Sequence, residues 1–260
     1  MKAILLAAGL GSRLKPYTDN WPKCLMPINK KPLIEYWLET LVSNGITEIL
    51  INLHTFSDIV RDFVTNSKYK NFVIFSKEKD LLGTAGTIMD NLDFIEDSSL
   101  MLIHADNLCS CDFDDFINFH NLTRPMNTEL TMMTFTATEP KKTGIVLVND
   151  NGVVNSFYEK SSEDHGNIGN AAIYIIEPSV INWLSSQKNI FDFSTQVLPN
   201  YLNRIATWHN HDVLKDIGSE DQLLSAQNDL NINNHTLDTY TDWKYFNNFK
   251  IVYDMIEKNK

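Results

Sequence analysis

The fold is decided by Leu6-Ala7-Ala8-Gly9-Leu10-Gly11-Ser12-Arg13-Leu14-Lys15-Pro16, where an apolar run passes into a basic glycine loop. Residues 2–7 are typical of a buried strand. Glycines 9 and 11 let backbone N–H groups approach a ligand closely, and Arg13 and Lys15 add positive charge. A strand followed by such a loop predicts a phosphate cradle, although a tight turn with solvated charges explains the same residues. The dinucleotide-binding fingerprint fails because Leu14 stands where its third glycine belongs, and the P-loop spacing is absent.

The chain outward from this loop alternates strands with helices. Strands are predicted over residues 2–7, 48–52, 71–76 and 100–104, and helices over 33–43, 56–64, 85–92 and 113–120. Pro32 marks the start of the first helix, Thr55 or Ser57 caps the second, and Asp112 caps the fourth. This alternation indicates βαβ units, and hence an α/β fold with a doubly wound, mixed but mainly parallel sheet.

The second half of the chain is richer in strands. Strands are predicted over residues 129–136, 171–176 and 205–208, and the segment 149–152 (NDNG) predicts a hairpin between 144–148 and 153–159. Helices are expected from Pro178 through residue 183 and over 222–228, the latter capped by Ser219. We therefore expect a single domain over 1–228, whose first half (1–125) alternates strands with helices and whose second half (126–228) is richer in strands. A polar linker at 228–234 and an aromatic helix over 243–256 would follow, so 229–260 is a C-terminal addition.

The composition and net charge of the chain disfavour several classes of protein. The chain has 260 residues, a formal net charge of −11 and three cysteines. An acidic surface disfavours nucleic-acid binding, and three cysteines without a CxxC pair disfavour a disulfide framework or a zinc site. No apolar stretch is long enough to span a membrane, and the first apolar run is too short for a signal peptide. A cytoplasmic location is the expectation.

A second motif, Trp21-Pro22-Lys23-Cys24-Leu25-Met26-Pro27-Ile28, follows the glycine loop. The combined pattern A-A-G-x-G-S-R-L-x-P-x-T, P-K and P-I resembles the signature of the sugar-1-phosphate nucleotidylyltransferases, which make nucleotide-diphosphate sugars. The resemblance implies a Rossmann-like nucleotidyltransferase fold with a sugar-binding insertion. It extends from residue 1 to about 228, and it implies a nucleotide-binding half (1–125) and a sugar-phosphate-binding half (126–228).

The resemblance assigns roles to the glycine loop and to a second glycine turn at residues 82–86 (LGTAG). Arg13 and Lys23 would be the catalytic residues, because they neutralise the triphosphate. The nucleotide would be bound by Ala7, Ala8, Gly9, Gly11, Ser12, Glu78, Gly83, Thr84 and Ala85. A carboxylate at Glu78 would accept hydrogen bonds from the base, which favours guanine weakly; an exposed surface glutamate is the alternative.

The resemblance also implies a metal and a sugar phosphate. Asp106 and Asp216 would bind Mg²⁺, a hard cation that prefers oxygen ligands completed by substrate phosphates. His104 and Ala105 depart from the commoner Asn-Gly pair that precedes this aspartate. Glu159, Lys160 and Asn170 would bind the sugar phosphate. Without the resemblance, the Glu159–Lys160 pair reads as an exposed ion pair.

The implied reaction joins a nucleoside triphosphate and a sugar 1-phosphate to give a nucleotide sugar and pyrophosphate. GTP with mannose or heptose 1-phosphate is favoured, and UTP, CTP and dTTP are alternatives. A non-catalytic nucleotide-sugar-binding regulatory protein is an alternative of another class, supported by His104 and Ala105. A dinucleotide-dependent dehydrogenase is disfavoured because Asn52 stands where an acidic residue is required. The absence of a long C-terminal repeat disfavours a fused acetyltransferase, and the aromatic segment 243–253 is a candidate contact in a homo-oligomer.

Overall fold

The computed structural model describes residues 1–228 and 236–260, and its chain contacts divide it into two compact units. The first unit comprises Met1–Ile4, Leu82–Ile103 and Ser110–Leu214, and the second comprises Leu5–Leu81, His104–Cys109 and Lys215–Lys260. Apart from residue 228, the predicted linker at 228–234 lies outside the described residues. The predicted division by ligand, at residue 125, stays a prediction.

The secondary structure follows the predicted alternation. The strands are β1 (Lys2–Leu6), β2 (Pro27–Ile28), β3 (Lys31–Pro32), β4 (Ile49–Leu53), β5 (Val73–Lys77), β6 (Leu100–His104), β7 (Asn107–Ser110), β8 (Leu130–Thr136), β9 (Gly144–Val148), β10 (Val154–Glu159), β11 (Ile168–Ile176), β12 (Ile205–Asn210) and β13 (Val213–Asp216). The α-helices are α1 (Leu33–Ser43), α2 (Ser57–Asn66), α3 (Gly83–Asp90), α4 (Leu92–Ile95), α5 (Phe113–Asn118), α6 (Pro178–Ser185), α7 (Glu220–Ala226) and α8 (Phe246–Asn259).

The first unit is built on a mixed sheet in the order β10-β9-β11-β6-β1, with β8 bridging β11 and β12. β11 runs antiparallel to β6, with Ile173 opposite Ile103, whereas β12 runs parallel to β8. β9 and β10 form the antiparallel hairpin that the NDNG turn predicts. The centre of this sheet is apolar on both faces, because β6 and the end of β11 carry Leu, Met and Ile side chains that are fully buried.

The second unit contains the last two residues of β1 (5–6), followed in the sheet by β4 and β5, which are parallel to each other. All five residues of β4 are buried. Helix α1 buries an apolar stripe that includes Trp37, and α2 buries Val60, Phe63 and Val64. This arrangement fixes the end of β1, and with it the start of the glycine loop, beside the end of β4.

The predicted helix ends lie within three residues of the observed ones, and two of the three predicted N-caps are confirmed. The Asp112 side chain accepts a hydrogen bond from the Asp115 N–H, and that of Ser219 from the Gln222 N–H, as predicted for N-caps. The predicted cap of α2 is wrong, because its N-cap is Phe56 in a left-handed conformation (φ 58°) with no side-chain hydrogen bond. Helix α3 begins at Gly83 rather than at residue 85, since a φ of +76° at this glycine turns the chain into the helix.

The C-terminal helix packs onto the second unit, as the aromatic pattern predicts. Phe249, Val252 and Ile256 of α8 are buried. The ring of Trp243 lies 5.4 Å from that of Trp21 and 4.9 Å from that of Phe63. Over the described ranges, none of the helices combines the length and apolarity that crossing a membrane requires.

Candidate active site

The glycine loop is held by a buried asparagine from β4. Oδ1 of Asn52 accepts hydrogen bonds from the backbone N–H groups of Ala7 and Ala8, at 2.6 and 3.3 Å. Asn52 is only 3% exposed. The two N–H groups that follow β1 are therefore satisfied by the protein, and the edge of the loop has a fixed position.

Gly11 shapes the middle of the loop. Its φ of +63° favours glycine, and a Cβ placed there would lie 2.9 Å from Cγ2 of Thr18. The Thr18 hydroxyl donates a hydrogen bond to the Gly11 carbonyl at 2.8 Å, and a short 3₁₀ turn over Ser12–Leu14 follows. The side chain of Arg13, on this turn, is 76% exposed and is available to a ligand.

Two carboxylates from distant segments converge on one ammonium group. Nζ of Lys23 lies 2.6 Å from Oδ2 of Asp106 and 3.1 Å from Oδ1 of Asp216. Lys23 is 7% exposed, whereas the carboxylate side chains are 35% and 44% exposed. A guanidinium nitrogen of Arg13 lies 3.9 Å from Oδ2 of Asp216. The resulting cation–carboxylate cluster (Arg13, Lys23, Asp106 and Asp216) combines four of the residues that the sequence predicts.

The charges within the cluster are mutually stabilising. Burial lowers the pKa of Lys23, but the charges of Asp106 and Asp216 outweigh it, so the pKa of Lys23 is raised. Burial raises the pKa of the Asp106 carboxyl, but the charges of Lys23 and His104 reverse this effect and leave that pKa lowered. At neutral pH the ammonium is therefore charged and Asp106 is ionised.

Glu78 is buried, so the alternative of an exposed surface glutamate is wrong. Glu78 is 4% exposed, and its Oε1 accepts a hydrogen bond from Nδ2 of Asn52 at 2.8 Å. The Glu78 carbonyl oxygen lies 3.1 Å from Nδ1 of His54. Asn52 thus joins the glycine loop to the predicted base-binding residue. Sequence reasoning missed this role, although a polar residue near the end of a buried strand is a signal for it.

The second glycine turn belongs to the first unit. A Cβ at Gly83 would overlap the carbonyl oxygen of Phe191, so this position requires glycine. The Ala85 N–H donates to that same carbonyl at 2.9 Å. The Thr84 hydroxyl accepts a hydrogen bond from the Phe193 N–H at 2.7 Å. The turn is thus fixed by the segment 191–193.

The predicted sugar-phosphate residues also belong to the first unit. Lys160 has a left-handed backbone (φ 48°), and its exposed ammonium lies 3.4 Å from Oε1 of Glu159. Asn170 accepts a hydrogen bond from the Ala172 N–H and donates one to the Tyr174 hydroxyl at 2.6 Å. Burial raises the pKa of Tyr174 to about 12, so its hydroxyl stays protonated at neutral pH. Asn170 is therefore oriented by its own strand.

The cluster suits a hard divalent cation. Asp106 and Asp216 already point at one cation, the Lys23 ammonium, which shows that both carboxylates reach a common point. A Cβ at Gly218 would lie 2.8 Å from Oδ2 of Asp216, so the glycine leaves this carboxylate its space. The described residues contain no group of three or more His, Cys, Asp or Glu side chains arranged to hold a metal. Two protein carboxylates with substrate oxygens are the set that Mg²⁺ accepts.

Comparisons with known proteins show the family of this chain. The sequence profile described as "Nucleotidyl transferase" matches residues 2–232. The chain belongs to this family. The chain is 29% identical to the mannose-1-phosphate guanyltransferase of Hypocrea jecorina over 232 residues, which are 87% of this chain and 63% of the relative. The chain is 31% identical to the mannose-1-phosphate guanyltransferase of Schizosaccharomyces pombe over 202 residues, which are 74% of this chain and 55% of the relative. The chain thus spans little more than half the length of these relatives.

Solved structures confirm the predicted fold class. HddC from Yersinia pseudotuberculosis, in a crystal structure complexed with GMP-PN, shares 26% identity and a TM-score of 0.72 with this chain. The similarity covers 87% of this chain and 97% of HddC. A Bacillus anthracis protein has the same fold with a TM-score of 0.78, over 91% of this chain and 98% of its own, at 21% identity. The fold is therefore the mixed α/β nucleotidyltransferase fold.

Proposed function

We propose that this chain transfers a nucleotidyl group from a nucleoside triphosphate to a sugar 1-phosphate and releases pyrophosphate. The observation that carries the proposal is the convergence of Lys23, Asp106 and Asp216 at the glycine loop that bears Arg13. Positive charge and carboxylates side by side suit a reaction in which phosphates are bound and charge is neutralised. The names of the relatives favour GTP with mannose 1-phosphate, and the ligand of HddC is consistent with a guanine nucleotide.

The reaction needs no dedicated base. The second pKa of a phosphate monoester is about 6, so the sugar phosphate is already largely dianionic at neutral pH. The work of the protein is therefore to bring two anions together. The exposed guanidinium of Arg13 would bind the triphosphate, and Lys23, held charged by its two carboxylates, would add a second positive charge.

Asp106 and Asp216 would hold Mg²⁺, which supplies charge neutralisation at the phosphate oxygens. The Lys23 ammonium would then move from the carboxylates towards the triphosphate, a shift that its flexible side chain permits. Lys160 would bind the sugar phosphate, with Glu159 and Asn170 directed at the sugar hydroxyls. Glu78, held by Asn52, would accept hydrogen bonds from the base, and guanine offers two adjacent donors.

The test is pyrophosphate release with Mg²⁺, using GTP, UTP, CTP, dTTP and ATP against mannose, glucose and heptose 1-phosphates. Release with one pair, abolished in Asp106→Ala and retained in Asp97→Ala, an exposed carboxylate, would support the proposal. Nucleotide binding without turnover by any pair would instead favour the non-catalytic binding protein. A cytoplasmic location belongs to the same proposal, and the homo-oligomer stays a prediction.

A further inference from the structure

The end of the C-terminal helix contacts two segments of the candidate active site. Nδ2 of Asn259 donates hydrogen bonds to the hydroxyl of Tyr17 at 2.7 Å and to Oε1 of Glu220 at 3.0 Å. The Tyr17 hydroxyl in turn donates to Oε1 of Glu220 at 2.7 Å. These three residues, named here the C-terminal clamp, are mutually hydrogen-bonded although they come from three separate parts of the sequence.

Each partner of Asn259 is close in sequence to a residue of the cation–carboxylate cluster. Tyr17 follows Arg13 by four residues on the glycine loop, and the next residue, Thr18, donates a hydrogen bond to the Gly11 carbonyl. Glu220 follows Asp216 by four residues and begins α7. A contact that holds Tyr17 against Glu220 therefore holds the Arg13 segment against the Asp216 segment.

Tyr17 is the buried member of the clamp, whereas Glu220 and Asn259 are exposed. Tyr17 is 2% exposed, and burial followed by the hydrogen bond to Glu220 raises the pKa of its hydroxyl, so the hydroxyl remains a donor at neutral pH. Helix α8 is fixed by its buried residues and by the packing of Trp243 on Trp21, which immediately precedes Pro22 and Lys23. The backbone of Asn259 is thus positioned by the packing of α8 and Trp243.

We propose that Tyr17, Glu220 and Asn259 are positioning residues that set the separation of Arg13 and Asp216. The C-terminal helix then supports nucleotide and metal binding without touching either ligand. This inference rests on the proposed function. Displacement of a catalytic group by about 1 Å lowers rates by up to about 100-fold, so loss of one clamp hydrogen bond is expected to lower kcat about tenfold.

The experiment compares Tyr17→Phe, Asn259→Ala and Glu220→Ala with Glu220→Gln, whose amide oxygen still accepts both hydrogen bonds. Lys258→Ala, an exposed neighbour on the same helix, is the matched control. We expect the first three variants to lose about tenfold in kcat and to need several-fold more Mg²⁺ for half-maximal rate. Their KM for the sugar 1-phosphate and their Tm should change little. Glu220→Gln and Lys258→Ala should stay within about twofold of the wild type.

Two results would overturn the proposed positioning role of the clamp. The first is a wild-type kcat and Mg²⁺ requirement in both Tyr17→Phe and Asn259→Ala. The second is a loss of activity that is fully explained by a fall in Tm. Asn259 is exposed at the end of α8, so its variant separates positioning from folding. If the wild type releases no pyrophosphate with any pair, the proposed function fails. The clamp is then tested by calorimetric measurement of GTP binding with Mg²⁺, which should be several-fold weaker in Tyr17→Phe than in the wild type. Equal affinities, or no binding by the wild type, would refute the positioning role as well.

Discussion

Replacing Lys23 by methionine should cost both stability and activity, whereas replacing Arg13 by alanine should cost activity alone. The sequence predicts that loss of either cation mainly reduces turnover. The structure separates them, because the Lys23 side chain is 7% exposed and bonded to two carboxylates, while that of Arg13 is 76% exposed. Methionine keeps the apolar stem of Lys23 and removes its charge, so the variant leaves Asp106 and Asp216 without their shared partner.

The magnitude follows from the geometry. Unit charges about 3 Å apart in a medium with an effective dielectric constant of about 20 attract by about 5 kcal/mol, and the cost of desolvating the ammonium offsets much of this. Breaking a buried pair from one side costs about 3–5 kcal/mol. Because the two carboxylates are 35% and 44% exposed, water replaces part of the loss. We therefore expect about 2 kcal/mol, or a fall in Tm of about 4–8 °C.

The stability difference between the wild type and Lys23→Met should depend on pH, in a direction that the two pKa shifts determine. The lowered pKa of Asp106 means that its contribution to stability is present above the unfolded pKa, about 3.9, and is lost as pH falls through the folded value. The raised pKa of Lys23 means that its contribution is complete below its unfolded pKa, about 10.4, and is lost as pH rises through the folded value. The difference in Tm between wild type and Lys23→Met should therefore be greatest between about pH 5 and 9 and smaller near pH 3.

The assay is thermal unfolding followed by circular dichroism, at several pH values, with and without Mg²⁺. Mg²⁺ should raise the Tm of Lys23→Met more than that of the wild type, since the ammonium no longer competes for the carboxylates. Arg13→Ala should keep the wild-type Tm. Equal Tm values for wild type and Lys23→Met at pH 7, or a difference that does not diminish in acid, would refute the reasoning.

Three further predictions concern other parts of the molecule. Gly83→Ala should lower the free energy of unfolding by roughly 2–4 kcal/mol, because the added Cβ would overlap the Phe191 carbonyl oxygen. Gly45 has nearly the same φ and open space where a Cβ would stand, so Gly45→Ala should cost only about 1 kcal/mol; equal values in urea titrations would exclude the clash. In Asn52→Leu, two N–H groups of the loop lose their acceptor, so the fold should be destabilised by about 2–3 kcal/mol and KM for the nucleotide should rise more than KM for the sugar phosphate. An unchanged nucleotide KM in steady-state kinetics would contradict this. Lys160→Ala should raise KM for the sugar 1-phosphate about tenfold or more without affecting nucleotide binding, whereas the control Lys141→Ala, at another exposed lysine, should leave both unchanged. A change in nucleotide affinity alone would show that Lys160 does not bind the sugar phosphate.

Local chemistry explains what the sequence determined by itself. The glycine loop, the NDNG hairpin and the caps at Asp112 and Ser219 depend on neighbours within a few residues, so their residues predict them. The alternation of strands and helices follows from hydrophobic period in the same way. The cap of α2 was mispredicted because Phe56 adopts a left-handed conformation that no local polar residue signals.

Only the tertiary structure decided which polar groups meet. Lys23 contacts Asp106 and Asp216, which lie 83 and 193 residues further along the chain, and Asn259 contacts Tyr17 across 242 residues. Hydrogen bonds and ion pairs of this kind depend on distances of about 3 Å, which are set by the packing of whole elements and leave no periodic trace in the sequence. The sequence therefore determined the residue types of the candidate site, and the fold decided their burial, their ion pairs and the contacts of the C-terminal helix.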